Sequence, residues 1–418
     1  MKKSIFLFAI LSVQYYYAKP QTNIDAELRP RLIIDNGYKT PKVKNNSVVP
    51  YITQRTRLNL GRSSDHLDSY ISIQDVRYWG SEDNYNSSGV YSNTKSFELN
   101  EAWFNYKPTT FLTFKIGRQI LQYDDQRILS SRGWNDYQVK YDAFLFIFKD
   151  SLNKIDLGLS LNNETNKNIY PDDKYKTVDF IRYERIFNNL TLSAISVITG
   201  KTTSDTTETI YLKGIYGLNI NYKYLDSKVR LTGYYQNNLD TKIEKVSAHC
   251  ISLYFTQKLN SIIQLGAGID YLSGQNEKNG SAYQNTDHSF DILYGRRHGW
   301  YGYIDYFSTI PDQGLVDYMI KSELNIVKNI KCQIDYHHFQ LAEDKINPDK
   351  LDEVINRNLG DEIDFTLIWN PIKEMTLQTG YSCYFVTKSI GTIKNINYSD
   401  IRFPQFFYTM ITIKPKLL

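Results

Sequence analysis

Residues 209–224 read TIYLKGIYGLNINYKY. Ile210, Leu212, Tyr216, Leu218, Ile220 and Tyr222 share one parity, while Tyr211, Lys213, Asn219, Asn221 and Lys223 share the other. Successive side chains of a strand point to opposite faces, so this segment predicts a β-strand with one apolar and one polar face. The same period of two recurs along the chain. Ile330, Cys332, Ile334 and Tyr336 oppose Lys331, Gln333, Asp335 and His337; Ile363, Phe365, Leu367 and Trp369 oppose Glu362, Asp364 and Thr366.

A soluble sandwich would alternate in the same way, with its polar face in water. Two features favour a membrane barrel. The periodic runs are about ten residues or longer, the length a tilted membrane strand needs, whereas soluble strands average about five or six. The connections also alternate in length. Short ones fall at 62–66, 108–110, 149–153, 188–189, 225–227, 259–260, 328–329 and 370–374. Long polar ones fall at 36–50, 80–95, 121–139, 162–176, 200–208, 274–314, 342–359 and 388–404. Outer-membrane barrels have short periplasmic turns and long extracellular loops. The expected fold is all-β: a transmembrane antiparallel β-barrel of about 18 strands, even in number as single-chain barrels require. The last run, FFYTMITIKP, is expected to pair with the first, IDAELRPRLIID, and leave no open edge. Pro30 inside that first run predicts a bulge.

Composition agrees. No run of apolar residues is long enough for a membrane-spanning helix. Mean hydropathy is negative, yet the chain carries 35 Tyr, 20 Phe and 5 Trp. A polar lumen and aromatic girdles at both interfaces account for that pairing. Net charge is +4, too little to indicate a nucleic-acid partner. Cys250, Cys332 and Cys383 lack metal-ligand spacing. The start, MKKSIFLFAILSVQYYYAKPQT, has two lysines, a short apolar run and a small Ala18. It predicts a secretory signal peptide over 1–18, followed by one barrel with long extracellular loops over 19–418.

With apolar residues facing lipid, the lumen receives Asp25, Glu27, Arg29 and Arg31 from the first strand, Arg55, Arg57 and Asn59 from the second, and Asp156, Lys213, Lys223, Arg230, Gln236, Gln264 and Asp270 further on. Such charges cost several kcal/mol on the lipid face near the midplane, which puts them inside. A lumen closed by self-neutralising ion pairs is the alternative to an open one. Strict alternation places Arg118 on the lipid face with Phe114 and Ile116; a bulge at Gly117 would turn it inward. No compact nucleophile and base set is present. Asp124 and Asp125 are adjacent, so their side chains diverge rather than converge on one bond. His337 and His338 are strand neighbours on opposite faces, unsuited to one metal ion. No catalytic residue, metal or cofactor is expected.

Several segments together are distinctive: GRQILQYDDQR (117–127) with Trp134 and YDAF (141–144), HSFDILYGRRHGWYGYIDYF (288–307), QDVRYWG (74–80) and LNEAWFNYKP (99–108). In order and spacing this set resembles the alginate-export outer-membrane porin family. The resemblance implies an eighteen-stranded barrel with a basic constriction that passes an anionic polysaccharide. It adds Arg118, Asp125, Arg127, Asp142, Tyr294, His298 and Asp305 as pore or substrate-binding candidates, beside Arg55 and Arg57 from the strand pattern. Arg118 and Arg127 would join Arg55 and Arg57 in an anion-attracting ring, oriented by Asp124 and Asp125. The expected protein is a channel of the cell outer membrane, in contact with lipid and lipopolysaccharide, for diffusion or export of anionic saccharides or other small anionic solutes. A general porin, or a barrel-borne enzyme or adhesin using the long loops, is the alternative.

Overall fold

A computed structural model describes residues 21–79, 97–162, 175–202, 210–239 and 245–418. The signal peptide expected over 1–18 lies outside these residues, as do most of the connections at 80–95, 162–176 and 200–208. The chain forms a closed antiparallel barrel of 18 strands. In order they are β1 (Gln21–Asn36), β2 (Val49–Ser63), β3 (Leu67–Tyr78), β4 (Phe97–Thr109), β5 (Leu112–Gln119), β6 (Tyr141–Lys149), β7 (Asn153–Leu161), β8 (Tyr175–Phe187) and β9 (Leu190–Thr202). The second half runs β10 (Ile210–Tyr224), β11 (Ser227–Asn238), β12 (Lys245–Lys258), β13 (Ile263–Leu272), β14 (Leu315–Val327), β15 (Ile330–Gln340), β16 (Asn358–Ile372), β17 (Met375–Val386) and β18 (Gln405–Ile413). Each strand pairs with its neighbour in sequence, and β18 pairs with β1 to close the ring. Closure satisfies every strand edge internally, the condition for crossing lipid with strands.

The faces fall as alternation requires. In β16, Glu362 and Asp364 are buried inside while Ile363 and Phe365 are exposed outside. In β10, Leu218 is 53% exposed and its neighbour Asn219 is 1% exposed. Exposed aromatics mark both rims: Tyr106, Phe187, Tyr224 and Trp369 at the turn end, Trp79, Phe97 and Phe385 at the loop end. Between Asn238, the end of β11, and Lys245, the start of β12, lies one more connection at the loop end, which the sequence reading left out.

The bulge expected at Pro30 is absent, and of the two possibilities at Gly117 the regular one holds. Pro30 pairs with Gln54 in an unbroken β1–β2 register. Its effect is on the other side, where the β1–β18 ladder skips from Leu28↔Ile413 to Arg31↔Met410. At Gly117 the register with β6 is also regular. The glycine is needed because φ is +124° and a Cβ there would sit 2.2 Å from the Ala102 carbonyl oxygen. A nearby shift lies in β4, where Ser72↔Glu101 is followed by Ile73↔Leu99, leaving Asn100 as the extra residue.

Candidate constriction site

Two long connections, 120–140 and 273–314, fold inside the barrel instead of standing above it. Their apolar residues pack one core with the inner wall: Leu121, Ile128 and Leu129 from the first, Ile304, Tyr306 and Phe307 from the second, against Phe339, Tyr384 and Phe406. The loops also interlock through backbone. Leu129 bridges Tyr294, Arg296 N donates to Gln126 O at 2.8 Å, and the Arg132 guanidinium donates to the carbonyls of Gly295 (2.9 Å) and Leu293 (2.7 Å).

The Tyr-Asp-Asp-Gln-Arg turn is tight, with Asp124 at φ +50° and Gln126 at φ +65°. It sends the adjacent carboxylates to different partners. Asp124 accepts from Arg182 on β8 (2.7 Å) and Ser193 on β9 (2.6 Å). Asp125 accepts from Arg127 Nε (2.9 Å) and from the Tyr234 hydroxyl on β11 (2.9 Å). The Arg127 guanidinium, fully buried, donates further to Asp270 on β13 (2.6 Å), Ser252 on β12 (3.1 Å) and Tyr301 of the second loop (2.7 Å). Trp300 covers its face at 4.4 Å. Burial alone would disfavour this cation, but Asp270 and Asp125 outweigh it and hold it charged.

The other end of the first loop meets the opposite side of the lumen. Arg29 and Arg31 on β1 clasp Asp136 at 2.7 and 2.9 Å and donate to the Trp134 carbonyl. Burial would raise the Asp136 carboxyl, yet Arg31 and Arg29 bring it well below the usual carboxylate range. Beside them on β2, Arg55 donates to Glu27 (2.7 Å) and the Asn135 carbonyl (3.2 Å). Arg57 donates to Gln74 (2.8 Å) and Gln138 (2.6 Å) and leaves Nη2 buried without a partner. Arg29 faces Arg55, and Glu27 faces Arg57, across the β1–β2 ladder. Three of the four arginines thus share two carboxylates, Glu27 and Asp136, and Arg57 has no ion pair among the described residues, so this cluster carries excess positive charge. A cavity of about 210 Å³ opens on it from the loop end, lined by Arg31, Tyr38, Tyr51, Tyr78 and Trp134.

Where the loops meet above this wall, Trp134 stacks on His298 at 3.8 Å and 11°, with Arg31 4.3 Å over the same indole. His298 Nδ1 bonds Asp305 (2.9 Å), whose second oxygen accepts from the Tyr38 hydroxyl (2.7 Å). Tyr294 sits apart, hydrogen-bonded to Thr199 and edge-on to Tyr141 and Tyr175. Beneath the second loop, Glu362 accepts from the backbone N–H groups of Tyr303 (2.6 Å) and Ile304 (2.7 Å). Gly302 permits this cradle, since a Cβ there would lie 2.4 Å from that carboxylate.

Of the sequence candidates, Arg55, Arg57, Asp125, Arg127, Tyr294, His298 and Asp305 lie within the lumen. Arg118 and Asp142 do not. They form a bidentate pair (2.9 and 3.0 Å) on the outward face, beside exposed Ile116 and Phe144. Plain alternation holds there because Gly117 is not a bulge. The four-arginine ring is also corrected: Arg127 is spent on Asp125 and Asp270 across the lumen from Arg55 and Arg57, and Asp124 orients Arg182. Arg29, Arg31 and Asp136 take the places beside Arg55 and Arg57. Parity alone marked the two arginines, whereas nothing local marks Asp136 as their partner.

No family model matches the chain, and no curated protein matches it, so the alginate-export resemblance rests on the short segments quoted above. Solved structures do match. The chain is similar to OccK11 (OpdR) of Pseudomonas aeruginosa, with TM-score 0.61 and 11% identity over 95% of this chain and 96% of that one. It is similar to OprD of Pseudomonas aeruginosa, with TM-score 0.59 and 12% identity over 95% and 94%, and to the vanillate complex of Pseudomonas aeruginosa OpdK, with TM-score 0.59 and 11% identity over 94% and 98%. At these identities the likeness is one of fold, and the fold is that of the outer-membrane porins.

Proposed function

We propose that this chain is an outer-membrane channel that passes small anionic solutes, sugar acids among them, along the β1–β2 wall of a lumen narrowed by its own loops. The observation that carries this reading is the excess of guanidinium charge where the first inward-folded loop meets the β1–β2 wall: Arg29, Arg31 and Arg55 pair with Asp136 and Glu27, and Arg57 stands beside them with no ion pair among the described residues. Fixed cations in a narrow passage favour anion entry, and water keeps each contact weak enough for release. The inward-folded loops favour a single small solute over a polymer segment, so the polysaccharide implied by the alginate-export resemblance gives way to its monomeric acids. OpdK, of the same fold, was solved with vanillate, a small carboxylate.

Reversal potentials in a salt gradient test the reading. The wild type should prefer anions. Arg55→Ala together with Arg57→Ala should move the reversal potential toward cations, with less effect at high salt, where the Debye length falls to about 3 Å at 1 M. Unchanged selectivity in a folded variant would remove these arginines from the permeation path.

A further inference from the structure

Below the constriction, on the wall away from β1 and β2, lies a second cavity of about 720 Å³. It is bounded by the turn-end halves of β9 to β13, and Asn188, Asn189 and Leu225 of the short turns line it. It therefore opens at the turn end, the periplasmic side of an outer-membrane barrel. Its charged lining residues are Lys223, Lys228 and Arg230, and no carboxylate lines it. Elsewhere in the lumen Arg127, Arg182 and Arg55 are paired directly with a carboxylate, whereas Arg230 has Asp125 and Asp270 only as more distant neighbours. Among the described residues no carboxylate lies within ion-pair distance of Lys223, Lys228 or Arg230. The Arg230 guanidinium rests between aromatic faces instead, 4.9 Å from Trp300 and 5.4 Å from Tyr254, with Nε buried and unbonded. Asn221 and Gln264 add amide groups to the same cavity.

A partly buried guanidinium that lacks a directly paired counter-ion is costly unless an anion completes it. We infer that this vestibule is a second oxyanion-binding site, for a carboxylate- or phosphate-bearing solute of one or two sugar rings. The Lys223, Lys228 and Arg230 cations would take the oxyanion, and Tyr254 and the amides the hydroxylated ring. An aromatic face beside hydrogen-bond donors suits a ring with an apolar side and a polar edge. The channel then has two anion sites on opposite walls, one on each side of the interlocked loops. A solute leaving the constriction is received before it reaches the periplasm. The inference rests on the channel reading but not on Arg55 and Arg57 setting its selectivity.

The test is single-channel recording with galacturonate, glucose 6-phosphate or neutral galactose added separately to each side. Block from the turn side by both anions, and not by galactose, is expected. In Lys228→Gln with Arg230→Gln, the turn-side blocking constant should weaken about tenfold, the loss of a charge-assisted contact, while loop-side block changes far less. Block by only one anion would assign the site to that oxyanion. Equal block by galactose, or equal weakening from both sides, would overturn the proposal. Should that variant not insert, Lys223→Gln with Lys228→Gln, at exposed positions, reads the same asymmetry. Where no conductance is seen, calorimetric titration of galacturonate into folded protein in detergent replaces it, and identical binding by wild type and variant would overturn the site. Silent Arg55 and Arg57 with intact turn-side block would refute only the constriction reading.

Discussion

Arg118 and Arg127 stand nine residues apart in one stretch and meet opposite fates. The Arg118–Asp142 pair is 39% and 59% exposed at its side chains and lies at the loop-end tips of β5 and β6, and an exposed pair of this kind contributes about 0–1 kcal/mol. Arg127 is buried with both of its carboxylates, so losing either would leave an uncompensated charge. Local pattern could not separate the two, because the Asp270 partner lies 143 positions along the chain from Arg127. His298 was legible as a polar loop residue, but its packing was not. Burial lowers its pKa below the ordinary 6.5, with Asp305 opposing and Arg296 and Arg31 assisting. An ionised Asp305 can only accept, so Nδ1 carries the proton and the buried Nε2 has no partner to receive a second donor. The unfolded chain therefore binds a proton before the folded one does, and stability falls as pH drops below about 6.5. Heat-modifiable gel mobility between about pH 8 and about pH 5 should show the unfolding midpoint falling on the acid side. His298→Gln keeps a donor for Asp305 and should flatten that part of the profile. An unchanged profile would mean that the loop junction does not titrate through His298.

At the scale of the element, the strands were readable because the lipid leaves the sequence little freedom. A charge near the middle of the outward face has no water to retreat to, so parity had to be kept across the centre of each strand; the outward Arg118–Asp142 pair sits at strand tips, where the cost is small. Departures from parity were not readable. Pro30 and Gly117 are the residues that usually mark bulges, and neither does so here; one bulge that does occur sits at Asn100, which carries no such signal. Leu218 lies mid-strand in β10 and faces out. Leu218→Arg is expected to destabilise the barrel by about 2–4 kcal/mol, the cost of arginine at the bilayer midplane. Asn221→Arg, on the inward face, should stay within about 0.5 kcal/mol. Denaturant unfolding from lipid vesicles measures both. Equal costs would mean that β10 does not present these faces to lipid and water.

For the whole molecule, the wall and the loops divide the work, and only the wall could be read in advance. The β13–β14 ladder runs from Ile263↔Leu324 to Leu272↔Leu315 and needs nothing from the connection between them. That connection, with 120–140, fills the loop end of the lumen through contacts that no spacing rule anticipates, such as Trp134 on His298 and Arg127 on Tyr301. The consequence is a limit on solute size set by loops rather than by barrel diameter, since 18 strands alone leave an aqueous channel. Proteoliposomes should take up galacturonate readily and a galacturonate oligomer poorly. Shortening the loop across 289–305 should admit the oligomer and raise conductance while the heat-modifiable barrel is retained, because the wall strands keep their partners. Glu362 would then face water, which solvates it in place of the Tyr303 and Ile304 N–H groups, while Arg127 loses Tyr301 and Trp300 but keeps Asp125 and Asp270. Equal uptake of monomer and oligomer by the intact protein would instead indicate a path wide enough for a polyuronate chain, as the alginate-export resemblance implies, and the loops would have to lie outside it.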